Sequence, residues 1–282
     1  MKMINNKYDF LVILSANRAN PNGDPLNGNR PREDNNGFGE ISDVCLKRKI
    51  RNRLIDMGEE IFVQSDEKRV DEYKSLSERA AATLKGKEKD RDEYAKAACE
   101  KWLDVRAFGQ VFAFKKRGDV AEVSVGVRGP VSIHPAFSVE PIEIEDLQIT
   151  KSVNSEPADK KSSDTMGMKH RVNFGLYVTK GSINVQLAEK TGLTDEDAKK
   201  IHQALITLFE NDASAARPEG SMVVEKVYWW KHNNKMGQYP SVKVHNSVKI
   251  TPKAEGQIAN SIEDYEIEYE PLEGLELDLY EI

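Results

Sequence analysis

The stretch YDFLVIL at residues 8–14 decides the fold that this sequence predicts. It is a short run of apolar residues rich in aromatic and β-branched side chains, which is typical of a buried strand. A loop crowded with turn-forming residues follows at 17–39. Ser42 then predicts the start of a helix that ends at Met57 before Gly58, with Leu46, Ile50 and Leu54 along one apolar stripe.

The rest of the chain alternates helical and strand patterns. Residues 65–103 are charged and helical in pattern, and Thr194 with Asp197 predicts a capping box at the start of a second amphipathic helix. Further strands are predicted over residues 120–133, 172–178, 222–230 and 242–250. This order predicts an α+β fold, a ferredoxin-like βαββαβ unit with large insertions.

Charge is segregated along the chain. The formal net charge is −6, but residues 255–282 hold ten acids and no Lys or Arg, so the other 254 residues carry −6 + 10 = +4. Residues 1–54 hold ten bases against six acids, whereas residues 55–100 hold thirteen acids against nine bases. Such segregation is what a chain with one polyanion-facing surface needs.

Several protein classes are not favoured. An apolar fraction of 39% without an apolar run of about 20 residues argues against a membrane span, and no signal peptide is expected, so we expect a cytoplasmic protein. Cys45 and Cys99 form no metal-binding or disulfide pattern. The chain lacks P-loop, HExxH and GxSxG motifs, and we expect no catalytic residues and no cofactor.

Two weaker patterns remain. Gly37, Gly39 and Ser42 resemble part of a dinucleotide fingerprint, but no strand leads into them and the third glycine is missing. Asn22, Asp24 and Asp34 have oxygen ligands for a hard metal, yet their spacing differs from a calcium loop and Asx residues are common in turns. We therefore predict neither a nucleotide site nor a metal site.

Basic residues concentrate in the loop and in the helix that it enters. The loop contains Arg18, Arg30 and Arg32, and the helix contains Lys47, Arg48, Lys49, Arg51 and Arg53. If the loop and the helix share an edge of the sheet, these side chains and the helix N-terminal amides suit phosphate groups. A solvated helix face explains the same pattern without any ligand.

Six stretches together carry a family resemblance. In chain order they are NPNGDPLNGNRPR (20–32), ISDVCLKRKIR (41–51), DVRAFGQ (104–110), GPVSI (129–133), NFGLY (173–177) and SAARPEG (214–220). They resemble the Csd-type members of the Cas-seven family, which in type I CRISPR systems polymerise along guide RNA as the spine of Cascade. Subtype I-C is the most similar.

The resemblance implies an organisation shaped like a hand. An RRM-like palm would comprise residues 1–58, 104–137 and 172–254, and an acidic C-terminal segment would follow at 255–282. A helical fingers insertion would cover 59–103 and a thumb hairpin 138–171. The thumb of each copy would reach toward the neighbouring copy on the same RNA.

The resemblance also implies a non-enzymatic function. The chain would bind crRNA through its backbone and leave the bases free to pair with target DNA, with neighbouring copies and other Cascade subunits as partners. The RNA-binding residues expected are Arg18, Asn22, Arg30, Arg32, Lys47, Arg48, Lys49, Arg51, Met166, Met168, Lys169, His170 and Arg217. The two methionines near the thumb tip would act as a base-stacking wedge, or belong to a mobile tip without that role.

Two other functions remain open. Related type III backbone subunits cut RNA with a loop aspartate and a metal ion, and Asp24 or Asp34 would be the equivalent here. A small-molecule enzyme on a ferredoxin-like scaffold would need convergent titratable groups in a pocket, of which five scattered histidines give little sign.

Overall fold

The computed structural model describes residues 2–116, 122–150, 166–254 and 256–282. Its strands are β1 (Tyr8–Ala19), β2 (Gly23–Asp24), β3 (Arg30–Pro31), β4 (Phe38–Ile41), β5 (Gly109–Phe114), β6 (Val123–Arg128), β7 (Val131–Ile133), β8 (Ala136–Pro141), β9 (Ile144–Thr150), β10 (Met166–Ile183), β11 (Met222–Lys231), β12 (Val248–Pro252), β13 (Tyr265–Tyr269) and β14 (Glu276–Glu281). Its α-helices are α1 (Asp43–Asp56), α2 (Leu76–Thr83), α3 (Arg91–Lys101), α4 (Leu103–Phe108), α5 (Val185–Thr191), α6 (Asp195–Ile206) and α7 (Ser241–His245). Within these ranges no helix is long and apolar enough to cross a membrane.

A large antiparallel sheet organises the molecule. Its strand order is β14-β11-β1-β10-β8-β4, and β7 and β9 pair with other parts of the long strand β10. The predicted strand at residues 8–14 is confirmed as part of β1, which pairs with β10 on one side and β11 on the other. The fold is thus mixed α/β with a large antiparallel sheet, as the alternating patterns predicted.

The sheet is covered on both faces. Phe10, Val12 and Leu14 of β1 belong to a core that includes the α1 stripe and the apolar residues of α6. Leu11 and Ile13 face the other way, into a core closed by α7, β12 and β13. Because a strand alternates its side chains between faces, a strand buried on both sides reads as a continuous apolar run.

The two main helices begin where their capping residues predicted. The Ser42 Oγ accepts a hydrogen bond from the Cys45 N–H at 3.3 Å. Thr194 and Asp197 form a reciprocal capping box at the start of α6. Such caps satisfy amide groups that have no partner within the helix, and their loss typically costs about 1 kcal/mol.

Residues 59–114 and β6 form a smaller core of their own. Phe62, Tyr94, Trp102 and Phe112 pack together, with ring centroids 4.6 to 5.3 Å apart in the pairs that touch. The predicted helical character of 65–103 is confirmed by α2 and α3, which are separated by a turn at Gly86.

Two strand predictions require correction. The described part of 120–133 forms β6 and β7 in different sheets, because the chain turns at Gly129, where a Cβ would lie 2.2 Å from the Phe108 carbonyl carbon. The predicted strand 242–250 is wrong over its first half, where Pro240 starts the short helix α7 and Val242 is exposed. Residues 248–250 belong to β12.

The acidic C-terminal residues are part of the fold. β13 pairs with β12 over the second core, and β14 pairs with β11 as the edge of the main sheet. The sequence predicted only an acidic C-terminal segment at 255–282, because its acids hide the alternation of Leu275, Leu277 and Leu279.

The partly buried His202 predicts a pH-dependent stability. Its ring stacks on Trp229 at 4.6 Å, and burial lowers its pKa below 6.5, which Asp278 only partly offsets. The unfolded chain therefore binds the proton more readily, so this contribution to stability is present above about pH 6.5 and is lost as the pH falls toward the folded pKa. We expect the free energy of unfolding in urea to fall between pH 7 and pH 5, and to fall less in His202→Phe.

The control for this prediction is His245, which is buried. Burial also lowers the pKa of His245, so part of the decline should persist in His202→Phe. Asp9 has a lowered pKa despite its burial, because His232, Ser241 and Lys7 donate to it, and its contribution is lost only below pH 3.8. An identical decline in wild type and His202→Phe would contradict the assignment.

Candidate nucleic-acid interface

The loop after β1 is built on hydrogen bonds. β2 and β3 form a small hairpin, and the Asp24 carboxylate accepts from the Leu26 N–H at 3.2 Å. Gly28 and Asn29 both adopt positive φ, at 58° and 62°, to complete the turn. Leu26 lies in this turn and is 98% exposed, so a hydrogen-bonded turn presents an apolar side chain to solvent.

Asn22 joins this loop to α1. Its Oδ1 accepts from the Ser42 N–H at 3.0 Å and from the Ser42 hydroxyl at 2.9 Å. The predicted RNA contact Asn22 is therefore engaged within the chain, where it positions the loop beside the helix N-terminus. Arg32 lies 3.5 Å from Asp24 and is 37% exposed.

The hairpin of β9 and β10 contacts the same loop. Arg30 and His170 both hydrogen-bond the Asp146 carboxylate, the His170 Nδ1 at 2.6 Å. The hydrogen bonds from Arg30 and then His170 hold the pKa of Asp146 below its usual value. Met166 and Met168 lie at the start of β10, before His170, and about half of each side chain is exposed. Residues 151–165 of the predicted thumb lie outside the described residues.

A groove of about 440 Å³ opens between these elements. We call it the Asn20 groove; it is lined by Asn20, Gly28 and Asn29 of the loop, by Ile149 and residues 168–170 of the hairpin, and by Ala215 and Ala216. The predicted residues Met168, Lys169 and His170 thus meet loop residues that the sequence analysis did not select.

Most cations of α1 are already paired. Lys49 is buried against Asp212, and burial lowers its pKa while Asp212 opposes the shift. Arg51 lies 2.9 Å from the buried Asp104, which also accepts from the Phe62 and Val63 amides. These two predicted phosphate contacts therefore hold α1 to neighbouring segments within the chain.

The remaining basic candidates differ in exposure. Lys47 pairs with Asp43 at 2.9 Å on its own helix, and Arg48 is 62% exposed with Glu67 only at 4.0 Å. Arg217 donates to the Asn20 carbonyl at 3.3 Å and lies 3.5 Å from Asp212, so it braces the groove. The role of each in RNA binding stays a prediction.

Arg18 is unusual in its backbone. It is exposed at a position of positive φ, 49°, where only a few per cent of residues other than glycine are found. Among the described residues no acid lies within ion-pair distance of Arg18 or of Lys169. Among the predicted RNA-binding cations, these two and Arg48 are therefore the most available to an external phosphate.

Three residues of this surface, Asp146, Asp212 and Asn20, were not predicted from the sequence. Asp212 is 163 residues from Lys49, and Asp146 is 116 residues from Arg30, so no local spacing signals either pair. Asn20 is buried, donates from Nδ2 to the Asn29 carbonyl at 2.6 Å, and has an Oδ1 without a donor among the described residues.

Asp24 and Asp34, the two carboxylates among the three candidate metal ligands, make turn hydrogen bonds. Asp34 accepts from the Asn36 and Phe38 amides at 2.8 and 3.0 Å, and Asp24 accepts from Leu26 as described above. Within the described ranges, no group of three or more His, Cys, Asp or Glu side chains has an arrangement that could hold a metal ion.

The comparisons with known proteins agree on one family. The family model for CRISPR-associated protein Cas7 matches residues 6–270, and the chain belongs to this family. It is 28% identical over 211 residues to a CRISPR-associated protein Cas7 of Haloferax volcanii, which covers 70% of this chain. The match spans 62% of that relative's length.

Two solved structures were also compared. A chain described as "CRISPR RNA-guided surveillance complex, pre-nicking" gives a TM-score of 0.49 at 18% identity, covering 79% of this chain and 78% of that chain. A second, described as "CRISPR RNA-guided surveillance complex", gives a TM-score of 0.44 at 18% identity, covering 79% and 68%.

The Asn22 contacts generate a stability prediction. Asn22→Ala removes both hydrogen bonds to Ser42, so we expect the free energy of unfolding to fall by about 1–3 kcal/mol. Asn36→Ala, at an exposed position of the same loop, is the matched control and should change it by less than about 0.5 kcal/mol. Chemical denaturation of both variants gives the comparison; equal losses would show that the link to Ser42 contributes nothing.

Proposed function

We propose that this protein is a crRNA-binding backbone subunit of a type I-C Cascade, which polymerises along guide RNA and presents it for pairing with target DNA. Membership of the Cas7 family is the observation that carries the proposal. Its partners would be crRNA, neighbouring copies, other Cascade subunits and target DNA, and its location the cytoplasm.

The sheet supports the proposed RRM-like palm. Its central order β11-β1-β10-β8 is antiparallel, and α1 precedes β7 and β8 while α5 and α6 precede β11. That is the order expected of a βαββαβ unit. Residues 59–103 would be the fingers and 138–171 the thumb.

The RNA would not lie on the open face of such a sheet. RRM domains stack bases on aromatic residues of that face. Here Tyr228 and Trp230 are buried in the second core beneath Val244, Val248 and Tyr265. The RNA would instead follow the loop after β1, the start of α1 and the β9–β10 hairpin.

Within this surface we assign the phosphate contacts by availability. Arg18, Arg48 and Lys169 are the primary candidates, with Arg32 and Lys47 partly neutralised by acids of their own segments. Asn22, Arg30, Lys49, Arg51 and Arg217 would position the surface through the contacts described above. Contacts to phosphates suit a protein that holds guides of any sequence.

Arg48 tests the phosphate assignment. Arg48→Ala should weaken binding to all single-stranded RNA sequences alike and reduce the slope of log affinity against log salt by about one unit per lost contact. Arg91→Ala, on the exposed surface of α3, is the control and should leave the slope unchanged. Fluorescence anisotropy over a salt series measures both; a loss limited to one RNA sequence would contradict the assignment.

The chain would act without catalysis. Asp24 and Asp34 already serve as turn formers, which is the observation against the metal-dependent endoribonuclease. A small-molecule enzyme stays the other alternative.

A cleavage assay separates binder from nuclease. We expect no magnesium-dependent cleavage of a target RNA paired to the guide, and we expect Asp24→Asn and Asp34→Asn to keep RNA affinity within about twofold, because Asn retains the turn hydrogen bonds. Denaturing gels of labelled target RNA give the readout. Cleavage by wild type that disappears in either variant would establish the nuclease instead.

A further inference from the structure

Every Asn-Gly dipeptide of the sequence lies in the loop after β1. A glycine after an asparagine leaves its own backbone nitrogen unhindered, because it has no Cβ to crowd the approach to the asparagine side chain. Such a dipeptide can react with itself, the glycine nitrogen attacking the side-chain amide carbon. The loop places the same chemistry in three local structures, Asn22–Gly23, Asn27–Gly28 and Asn36–Gly37.

The reaction needs only water as a reagent. Hydroxide takes the proton of the glycine N–H, and the nitrogen forms a bond to the asparagine Cγ. Water returns a proton to the amide nitrogen, which leaves as ammonia, and a succinimide ring remains. Water then opens the ring at either carbonyl carbon and gives aspartate or isoaspartate. The net change is one water consumed, one ammonia released and a neutral amide converted to a carboxylate.

Hydrogen bonds hold the Asn22 side chain away from this reaction. Its Oδ1 accepts from the Ser42 N–H at 3.0 Å and from the Ser42 hydroxyl at 2.9 Å. Gly23 is also crowded, because a Cβ there would lie 2.0 Å from the Asn29 Oδ1. Ring closure requires the Asn22 amide to turn toward Gly23 and so to break both hydrogen bonds, each of which lowers the reactive population by about fivefold.

At Asn36–Gly37 the backbone nitrogen is held instead. The Gly37 N–H donates to the Asp34 carbonyl at 3.0 Å. The Asp34 carboxylate accepts from the amides on either side, those of Asn36 and Phe38, at 2.8 and 3.0 Å. The Gly37 nitrogen must leave its acceptor before it can lose its proton and attack, which slows the reaction by about fivefold.

Neither kind of protection is found at Asn27–Gly28. Both residues are exposed, at the end of the short 3₁₀ helix Pro25–Asn27. Within the described part of the chain, neither the Asn27 side chain nor the Gly28 N–H has a hydrogen-bond partner. Beyond the neighbouring residues, the His170 Nε2 is the one described atom within 4 Å of where a Gly28 Cβ would lie, at 3.9 Å, so the turn has room to rearrange.

We propose that Asn27 is a site of spontaneous deamidation, and that the carboxylate formed there lowers the affinity for RNA. The second half rests on the proposed RNA-binding function, and the first half does not. Gly28 lines the Asn20 groove together with Lys169 and His170, so the new negative charge arises beside cationic candidates for phosphate binding. A charge at this range weakens binding by about two- to fivefold at low salt and by less at high salt.

The test compares the three dipeptides within one folded chain. The full protein is incubated in mildly alkaline buffer made with heavy-oxygen water, which labels each carboxylate that forms, and is then digested with trypsin. Since trypsin does not cut before a proline, peptide 19–32 contains both Asn22 and Asn27, which fragment ions separate. Peptide 33–47 contains Asn36.

We expect Asn27 to gain the label at least about fivefold faster than Asn22 or Asn36, which is the protection that one hydrogen bond gives. In guanidinium chloride the three rates should agree within about threefold, because the unfolded chain has lost these hydrogen bonds. Equal rates in the folded chain, a faster reaction at Asn22 or Asn36, or no label at Asn27 would overturn the site.

Variants of Asn27 test the consequence for RNA. Asn27→Gln keeps the side chain neutral, and its extra methylene makes ring closure much slower. Wild type that has been aged until Asn27 has reacted should bind oligo(U) about two- to fivefold more weakly at low salt than fresh wild type, and fresh Asn27→Asp should already show the loss. Asn27→Gln aged in the same way should keep its affinity. Fluorescence anisotropy measures all four samples.

The outcomes separate the two halves of the proposal. Equal losses of affinity in aged wild type and aged Asn27→Gln, or no loss in either, would overturn the consequence for RNA and leave the deamidation site standing. Absence of salt-dependent RNA binding by fresh wild type would overturn the proposed function and that consequence together, whereas the label at Asn27 is measured without RNA.

Discussion

The pairing of β1 with β10 and β11 is the constraint on which the rest of the structure depends. β1 is buried on both faces, so two cores are organised around one strand, with Phe10 and Val12 on one side and Leu11 and Ile13 on the other. A strand covered in this way cannot shift its register by one residue without exchanging its two sets of side chains. Its ends are therefore fixed, and the chain leaves β1 at Ala19, paired with Val172 of β10, at the point where the loop and the hairpin meet.

The candidate interface begins where β1 ends, at Ala19. Asn20 follows β1 directly, and its amide donates to the Ala216 carbonyl at 2.9 Å, which ties the loop to the segment before β11. Arg30 and His170 share Asp146, and Lys49 and Arg217 share Asp212. Isolated exposed ion pairs contribute little to stability, but pairs that share one acid also restrict where each cation can lie. The paired cations thus hold the segments of the surface together, and Arg18, Arg48 and Lys169 carry the positive charge that remains available to a phosphate.

The sequence predicted what depends on local pattern. The β1 run, the caps of Ser42 and Thr194 and the apolar stripe of α1 each involve residues within one turn or one strand, and they are found where expected. It could not predict which cations are neutralised, because Asp212, Asp104 and Asp146 come from distant segments. Nor could it predict α7, because Val242, Val244 and Val248 alternate like a strand while Pro240 starts a helical turn. The Asn20 groove needs four separate segments and has no signal in any of them.

The net charge of −6 is compatible with a polyanion ligand because of where the acids lie. β14 carries acids on the sheet edge, and it pairs with β11 only from Lys226 onward, whereas the groove residues 215–216 precede Met222. The four residues from Met222 to Lys226 span about 13 Å in an extended strand. That distance exceeds the Debye length of about 8 Å at physiological ionic strength, so most of the repulsion between acids paired from Lys226 onward and a phosphate near Met222 is screened. Lys226 also pairs with Glu281 at 2.5 Å, which neutralises the β14 acid of the ladder that comes nearest to the start of β11. The sign of the net charge therefore says little about the ligand. The charges close to the loop after β1 determine whether a polyanion is attracted there.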